Sequence, residues 1–267
     1  MIRVVVTGAY GKMGREVVKT VLRTEDMELV GAVDSAGEGT DVGTLVEAGN
    51  TGVVIEKDLA EVLARVRPDV AVDFTNPHCV FSNALIYLQH GVRPVIGTTG
   101  LSPEQIDEII ETSSKHKVGG LIAPNVAIGA LLMMKFAAEA SRYLPSVEII
   151  ELHHDQKLDA PSGTAIKTAE GIMEQRDPEF RQGLAAEIEK VPGARGGAFD
   201  GGIRIHSVRL PGLVAHQEVI FGGLGETLTI RHDSITRESF MPGVLVGVRK
   251  VMHLERVVYG LDRLLFE

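Results

Sequence analysis

The sequence is poor in cysteine, in aromatic residues and in long apolar runs. Cys79 is the only cysteine among 267 residues, so an intrachain disulfide is excluded, which is typical of a protein in a reducing compartment. Tryptophan is absent and aromatic residues make up 4%, a low content for a protein that stacks on nucleic-acid bases. No apolar run reaches the roughly 18 residues of a transmembrane helix, and no secretory leader precedes the first apolar segment. We therefore expect a cytoplasmic protein with no membrane partner.

Positive charge is also in deficit. The chain has 27 lysine and arginine residues against 36 acidic ones, a formal net charge of −9. Such a field repels phosphate polymers, so nucleic acid is not an expected partner. A small anionic ligand stays compatible with this balance, because a local cluster of donors decides its binding. The length predicts one large or two small domains, with a core that needs no disulfide or metal to stabilise it.

Short β-branched runs alternate with helical segments in the first half of the chain. Strands are predicted at Ile2–Thr7, Leu29–Val33, Val70–Phe74, Val92–Ile96 and Gly120–Ala123. Two of the intervening helices have start signals: Asp58 precedes a helix over 59–66, and Ser102 precedes Pro103 with Gln105 at the capping-box position. This alternation predicts an α/β fold with a Rossmann-type parallel sheet.

The pattern changes after about residue 126. A strand at Val147–Leu152 and a helix at Gly163–Met173 precede three alternating segments, which are predicted to be half-buried antiparallel strands: Ile203–His206, Val219–Phe221 and Thr227–Ile230. These elements predict a second, α+β domain with a mixed or antiparallel sheet.

The end of the chain turns helical and apolar again, which suggests a return to the first domain. We therefore expect a first domain of residues 1–126 with 239–267 and a second domain of residues 127–238. Two glycine-rich segments lack a clear period. Residues 35–52 are predicted to form an irregular connection, and residues 176–201 a long mobile loop.

A glycine turn follows the first predicted strand. Gly8, Gly11 and Gly14 form a GxxGxxG pattern between a strand and a helix, and Asp34 ends the next strand 20 residues after Gly14. Glycines allow close backbone approach to a pyrophosphate, the helix start supplies amide donors, and an acid in this place binds ribose hydroxyls. The pattern predicts dinucleotide binding; the alternative is a plain glycine turn in an ordinary α/β fold.

Two further loops follow strands of the same predicted sheet. They are Gly97-Thr98-Thr99-Gly100 and Ala123-Pro124-Asn125-Val126. Ligands of open parallel sheets lie outside the carboxyl ends of the strands, so both loops are candidates for the same site as the glycine turn. Taken alone, each is more often a plain strand-to-helix turn.

The strongest local cluster lies between Glu151 and Ala165. His153, His154 and Lys157 precede a helix start at Ser162-Gly163-Thr164. Free amides at such a start bind carboxylates, and the cations add charge and a proton donor near neutral pH. A solvated polar loop is one alternative. Zinc is another, although neighbouring residues rarely point at one metal and no cysteine is near.

Three other polar features have simpler structural explanations. Cys79 at a helix start is expected to be a buried structural thiol. His232 and Asp233 form either a functional pair or, more simply, a structural turn. Arg195 is either an anion clamp or part of a flexible loop.

The long segment at 153–165, His-His-x-x-Lys-x-Asp-Ala-Pro-Ser-Gly-Thr-Ala, resembles the signature of the dihydrodipicolinate reductase family. The turn at 8–14, the loop at 97–100, and the segments 206–209 and 215–219 match in the same order, so the resemblance covers essentially the whole chain. It implies reduction of a cyclic imine dicarboxylate in diaminopimelate and lysine biosynthesis, with NADH or NADPH. It also implies a homotetramer assembled through the sheet of the second domain. From the residues themselves, no metal site is predicted.

The resemblance also implies residue roles. His153 corresponds to the acid/base residue and Lys157 to the proton donor. The groups that hold the substrate carboxylates correspond to His154, Thr99, Gly163 and Thr164. The implied cofactor contacts are Gly8, Ala9, Tyr10, Gly11, Lys12, Met13, Asp34, Gly97, Thr98, Thr99, Ala123, Pro124, Asn125 and Val126.

The chain departs from part of the family after the ribose-binding acid. An arginine often follows that acid and binds the 2′-phosphate of NADPH, whereas here Ser35 follows Asp34, and Lys12 is the only nearby cation apparent in the sequence. Because Asp34 repels that phosphate, we predict that NADH is preferred and NADPH is the weaker cofactor. The alternative functions are another oxidoreductase of small anions and a non-enzymatic NAD-binding sensor.

Overall fold

The computed structural model describes residues 1–183 and 188–266. The chain forms two units: Met1–Val126 with the chain from Phe240 onward, and Ala127–Ser239. The predicted mobile loop over 176–201 includes residues 184–187, which lie outside the described residues, as does the last residue of the predicted segment 239–267. No helix in the described ranges has the length and apolar character that a membrane crossing requires.

The first unit begins with alternating strands and helices. In chain order they are β1 (Ile2–Thr7), α1 (Lys12–Leu22), β2 (Met27–Val33), α2 (Val42–Leu45), β3 (Ile55–Glu56), α3 (Leu59–Val66), β4 (Val70–Asp73), α4 (Val80–Gln89), β5 (Arg93–Ile96), α5 (Pro103–His116) and β6 (Gly120–Ile122). The five predicted strands are confirmed to within two residues at each end.

The predicted helix starts of α3 and α5 are confirmed. The side chain of Asp58 accepts a hydrogen bond from the backbone N–H of Glu61 at 2.9 Å. At α5, Ser102 and Gln105 form both hydrogen bonds of a capping box, and Pro103 is the first helical residue. These caps satisfy amides that a helix start leaves without an intrahelical acceptor.

The predicted irregular connection over 35–52 contains a short helix, α2, that the sequence analysis missed. Asp41 caps it by accepting from the backbone N–H of Thr44 at 2.8 Å. The same carboxylate accepts from the backbone N–H groups of Thr51 at 3.1 Å and Gly52 at 2.8 Å. The helix therefore depends on partners about ten residues further along, which a local pattern does not reveal.

The second unit contains the elements α6 (Ile128–Ala140), β7 (Ser146–His153), α7 (Gly163–Gln175), β8 (Gly197–Ala198), β9 (Arg204–Arg209), β10 (Ala215–Gly223) and β11 (Glu226–Ser234). The chain then returns to the first unit as α8 (Met241–Val251), β12 (Val257–Tyr259) and α9 (Leu261–Phe266).

In the described chain, seven strands of the first unit form one parallel sheet in the order β12-β6-β5-β4-β1-β2-β3. The central strands are buried on both faces, as the runs Val4–Val6 and Val70–Val72 show. Burial on both faces explains why these strands are continuously apolar and β-branched rather than alternating. The predicted Rossmann-type fold is confirmed.

The second unit has a mixed sheet in the order β11-β10-β7-β9-β8. Strands β7, β10 and β11 pair antiparallel, but β9 pairs parallel with β7. The prediction of an antiparallel strand at Ile203–His206 is therefore wrong for this pairing. Helix α7 connects β7 to β9, and such a crossover brings the second strand back in the same direction. Side chains from the inward faces of the sheet pack with those of α6 and α7, including Ile149, Phe221, Ala137, Ala169 and Ile172.

Candidate active site

The glycine turn lies beside the start of α1 and packs closely against the chain that follows β4. Gly8 has φ +77°, and a Cβ there would overlap the carbonyl oxygen of Phe74. Gly11 is the N-cap residue and provides no capping side chain, so the first amides of α1 face no side-chain acceptor from their own cap. The helix begins at Lys12, inside the GxxGxxG pattern. A turn whose backbone must stay bare, followed by uncapped amides, fits a pyrophosphate group.

Asp34 is attached to this turn. Its Oδ2 accepts a hydrogen bond from the backbone N–H of Tyr10 at 2.9 Å, and its Oδ1 accepts from the backbone N–H of Ala36 at 3.0 Å. The acid predicted to bind ribose therefore lies against the predicted pyrophosphate turn. The arrangement suits a nucleotide bound along the carboxyl edge of the sheet.

A second cation that the sequence analysis missed lies in α1 and contacts the same turn. The Nε of Arg15 donates to the carbonyl oxygen of Tyr10 at 2.9 Å, and its guanidinium lies 4.7 Å from the centre of the Tyr10 ring. Lys12 is therefore not the only cation near Asp34. The available signal was the position of Arg15, one helical turn after Gly11.

The loops after β4 and β5 are joined by a buried acid, Asp73, which sequence reasoning also missed. Its Oδ1 accepts from the hydroxyls of Thr75 at 2.6 Å and Thr98 at 2.9 Å, and its Oδ2 accepts from Tyr87 at 2.8 Å. Burial and the Asp73 carboxylate raise the pKa of Tyr87 well above its usual range. The only sequence signal was an acid at the end of an apolar strand.

This network determines which atoms of Thr98 a cofactor can contact. Thr98 is buried, and its hydroxyl points at Asp73 rather than at a ligand, so only its backbone is available to a cofactor. Thr99 is exposed, and its prediction as a substrate contact stays a prediction. The side chains of Ala123 and Val126 are buried, whereas those of Pro124 and Asn125 are half-buried.

The cluster at the end of β7 is built around Glu151, whose side chain is fully buried. Its Oε2 lies 2.6 Å from Nδ1 of His153, and its two oxygens accept from the guanidinium of Arg209 at 2.7 and 2.8 Å. Burial by itself would raise the pKa of Glu151. Hydrogen bonds from His153, Arg209 and Ser207 outweigh it and lower the pKa to about 2.

Helix α7 begins directly beside this carboxylate. The backbone N–H of Ser162 donates to Oε1 of Glu151 at 3.1 Å, and the Ser162 hydroxyl accepts from the backbone N–H of Ala165 at 3.2 Å. A Cβ on Gly163 would meet no atom within 4 Å, so the helix start faces open space. The predicted anion-binding start at Ser162-Gly163-Thr164 is thus placed next to His153.

The other two predicted cations lie in the loop between β7 and α7. Nζ of Lys157 donates to both carboxylate oxygens of Asp159 at 2.6 and 2.7 Å, and this bond lowers the pKa of Asp159. His154 is exposed. Across residues 1–183 and 188–266, no group of three histidine, cysteine or acidic residues is arranged to hold a metal ion.

The other candidate features have structural partners. Asp233 pairs with His216 on the neighbouring strand at 2.6 Å rather than with His232, and both residues of the suggested turn lie inside β11. Burial lowers the pKa of His232. Arg195 pairs with Glu148 of β7. Cys79 is half-buried at the start of α4, so the prediction of a buried thiol is wrong.

The first unit has the sheet, glycine turn and acid of a dinucleotide-binding domain, and the second has a histidine beside a helix start, with a further histidine and a lysine in the loop before it. Together they define an enzyme of the pyridine-nucleotide-dependent oxidoreductase class. Family models described as dihydrodipicolinate reductase, N-terminus and C-terminus, match residues 2–126 and 129–265. The chain belongs to the dihydrodipicolinate reductase family, which confirms the resemblance found in the sequence.

Curated relatives agree with this assignment along the whole chain. The 4-hydroxy-tetrahydrodipicolinate reductase of Desulfitobacterium hafniense (strain DSM 10664 / DCB-2) is 57% identical over 99% of this chain and 98% of its own length. That of Moorella thermoacetica is 55% identical, also over 99% of this chain and 98% of its own length.

Solved structures agree with the fold. The dipicolinate-bound dihydrodipicolinate reductase from Paenisporosarcina sp. TG-14 is 49% identical and has a TM-score of 0.86, over 98% of this chain and 99% of that chain. An amine dehydrogenase from Mycobacterium smegmatis, with 18% identity and a TM-score of 0.69 over 98% of this chain and 95% of that chain, shares the fold alone.

Proposed function

We propose that the chain reduces 4-hydroxy-tetrahydrodipicolinate to tetrahydrodipicolinate in diaminopimelate and lysine biosynthesis. The substrate loses one water and gains a hydride and a proton. The observation that carries the proposal is the open start of α7, which Glu151 joins to His153, with His154 and Lys157 in the loop that precedes it. A dicarboxylate needs such a local excess of donors in a chain whose net charge is −9. The solved relative that binds dipicolinate, a planar dicarboxylate, supports the substrate class.

The residues of this cluster have separate tasks. The amides of Gly163 and Thr164 and the side chain of His154 bind the substrate carboxylates, because a helix start and a cation both favour negative charge. Lys157 donates a proton to the ring, and His153 acts as the acid/base group through Nε2, since its Nδ1 is bonded to Glu151. When bound, NADH or NADPH supplies the hydride.

The nucleotide is held by the first unit. We assign its pyrophosphate to the backbone from Gly8 to Met13 and its ribose to Asp34, with the loops at 97–99 and 123–126 along the same edge of the sheet. NADH is preferred because the carboxylate of Asp34 would repel a 2′-phosphate and Ser35 offers no cation. Lys12 and Arg15 at the start of α1 allow NADPH to bind as the weaker cofactor.

The reaction is tested in a coupled assay that generates the unstable substrate from pyruvate and aspartate semialdehyde with the preceding synthase. Nicotinamide oxidation that requires both precursors supports the proposal, and a higher kcat/KM with NADH than with NADPH supports the preference. A protein that binds NADH but oxidises none under these conditions would instead be a nucleotide sensor or a reductase of another small anion.

The residue roles are tested with His153→Ala and Lys157→Ala. We expect kcat to fall by about 10²- to 10⁴-fold while NADH affinity stays at the wild-type value. His116→Ala and Lys115→Ala, on the exposed end of α5, are the matched controls and keep wild-type turnover. A parallel loss of NADH affinity and turnover would refute the assigned roles.

We further propose a cytoplasmic homotetramer assembled through the second unit, with residues 127–238 as the substrate and assembly domain. Strand β11 supports this, because it is an edge strand of nine residues whose segment Thr227–Thr229 is exposed. A long exposed edge is a template for pairing with another chain. Light scattering coupled to gel filtration tests the proposal, and a monomeric mass at micromolar concentration would refute it.

A further inference from the structure

The buried carboxylate of Glu151 accepts hydrogen bonds at both of its oxygens. Oε2 is bonded to His153 Nδ1 at 2.6 Å and to Arg209 Nη1 at 2.8 Å. Oε1 accepts from Arg209 Nη2 at 2.7 Å and from the backbone N–H of Ser162 at 3.1 Å. A carboxylate with this many short bonds has a fixed orientation, and so do the groups that donate to it.

The sheet itself places these groups together. Glu151 and His153 are two residues apart on β7 and therefore point to the same face. Strand β9 runs parallel beside β7, and the register puts Arg209 opposite His153 and Ser207 opposite Glu151. The bidentate guanidinium thus fixes Glu151 from the neighbouring strand, and Glu151 fixes the imidazole.

We propose that Glu151 is a positioning residue for the reduction, held by Arg209, which sets the tautomer of His153 and joins the imidazole to the start of α7. An ionised carboxylate only accepts hydrogen bonds, so neutral His153 must carry its proton on Nδ1. This leaves Nε2 as the basic atom that exchanges a proton with the substrate. The inference rests on the proposed function, since it needs His153 to act on that substrate.

The same carboxylate also connects acid/base chemistry to substrate binding. Glu151 accepts a hydrogen bond from the backbone N–H of Ser162, the residue directly before α7. The amides of the next two residues are assigned to the substrate carboxylates. One buried carboxylate therefore holds both the imidazole and the anion-binding amides in place. Small errors in their separation would lower the rate, because proton transfer requires hydrogen-bond distance.

Glu151→Gln tests the proposal because an amide keeps the size of the side chain but is both donor and acceptor. Its amide can face Nδ1 with either group, so the tautomer is no longer imposed. We expect kcat to fall by about 10²-fold or more, while KM for the substrate and the affinity for NADH change by no more than about threefold. In the ¹⁵N spectrum, neutral His153 has its proton on Nδ1 in the wild type and becomes a tautomer mixture in the variant.

Glu148→Gln is the matched control. Glu148 also lies on β7 and also bonds to a histidine and an arginine, His206 and Arg195, but it points to the opposite face of the sheet. If Glu151 had only a structural role, both variants would keep the wild-type kcat, whatever stability each of them loses. Tetramer content is measured for both variants so that assembly does not confuse the comparison.

Glu151→Asp carries the test if the glutamine variant does not fold. Aspartate is also acceptor-only, so it imposes the same tautomer, but it is one methylene shorter and leaves a larger distance to His153 Nδ1. We therefore expect a kcat between those of the wild type and the glutamine variant. Wild-type kcat in either folded variant, or a loss confined to KM, would overturn the positioning role. If the wild-type protein is inactive in the coupled assay but its His153 shows the expected ¹⁵N spectrum, the proposed reaction is refuted instead.

Discussion

The backbone N–H of Tyr10 donates to the carboxylate of Asp34 at 2.9 Å, which joins the glycine turn to the end of β2. The two parts of the predicted nucleotide site are therefore fixed relative to each other before any ligand binds. A preformed site loses less conformational freedom on binding. The side chain of Asp34 retains lone pairs for ribose, since a carboxylate accepts about four hydrogen bonds.

Replacement of Gly8 by alanine should abolish nucleotide binding. The new Cβ would overlap the carbonyl oxygen of Phe74, and a φ of +77° costs an L-residue about 1 kcal/mol more than glycine. Gly39→Ala is the matched control, because Gly39 has φ +78° and no atom within 4 Å of the added Cβ. NADH titration by fluorescence should show loss of binding only in Gly8→Ala. Equal affinity in the two variants would contradict the assignment of the turn.

Replacement of Ser35 by arginine should shift the cofactor preference toward NADPH. Ser35 is exposed directly after Asp34, where a guanidinium can pair with a 2′-phosphate. We expect the ratio of kcat/KM for NADPH to that for NADH to rise by about tenfold, equivalent to about 1.4 kcal/mol. Ser35→Ala should leave the ratio unchanged. A ratio unaffected by arginine would place the 2′-phosphate elsewhere.

Replacement of Ser162 by alanine should affect both stability and substrate binding. The Ser162 hydroxyl caps α7, and loss of such a cap costs about 1 kcal/mol in the free energy of unfolding. Ser102→Ala removes the equivalent cap from α5 and should lose similar stability. Only Ser162→Ala should raise KM for the substrate, because only α7 is assigned to its carboxylates. Steady-state kinetics and urea unfolding of the two variants separate these effects.

Acid should destabilise the protein through Glu151. Its folded-state pKa of about 2 lies below the ordinary value of 4.5, so its contribution to stability is complete above about pH 4.5 and disappears as the pH falls toward 2. The shift corresponds to about 3 kcal/mol. Urea unfolding between pH 7 and pH 3 should show a smaller loss of stability for Glu151→Gln than for the wild type. Glu111→Gln, in an exposed ion pair with Lys115, should follow the wild-type curve.

The local parts of the fold were predictable because their causes are local. The caps at Asp58 and Ser102 depend on residues three positions away, and the central strands are buried apolar runs. Helix α2 was missed because Asp41 needs Thr51 and Gly52 as well as its own turn. The direction of β9 depends on the crossover through α7, which alternation of polar and apolar residues does not encode.

The candidate site divides in the same way. The signature from His153 to Ala165 and the turn from Gly8 to Gly14 were visible as short segments of sequence. Arg209, in contrast, is 58 residues from Glu151, and Thr98 is 25 residues from Asp73. These partners meet only when strands pair, so the groups that orient the site were not accessible to local reasoning.

The bond between Ser162 and Glu151 has a consequence for changing the enzyme's substrate. A change at the start of α7 that admits a different acid would also displace the imidazole of His153, since one carboxylate is bonded to both. A broader substrate range and an unchanged kcat are therefore coupled and cannot be changed independently. Libraries that vary the residues after Ser162 while leaving β7 and β9 untouched are the ones from which new reductases of small acids should emerge.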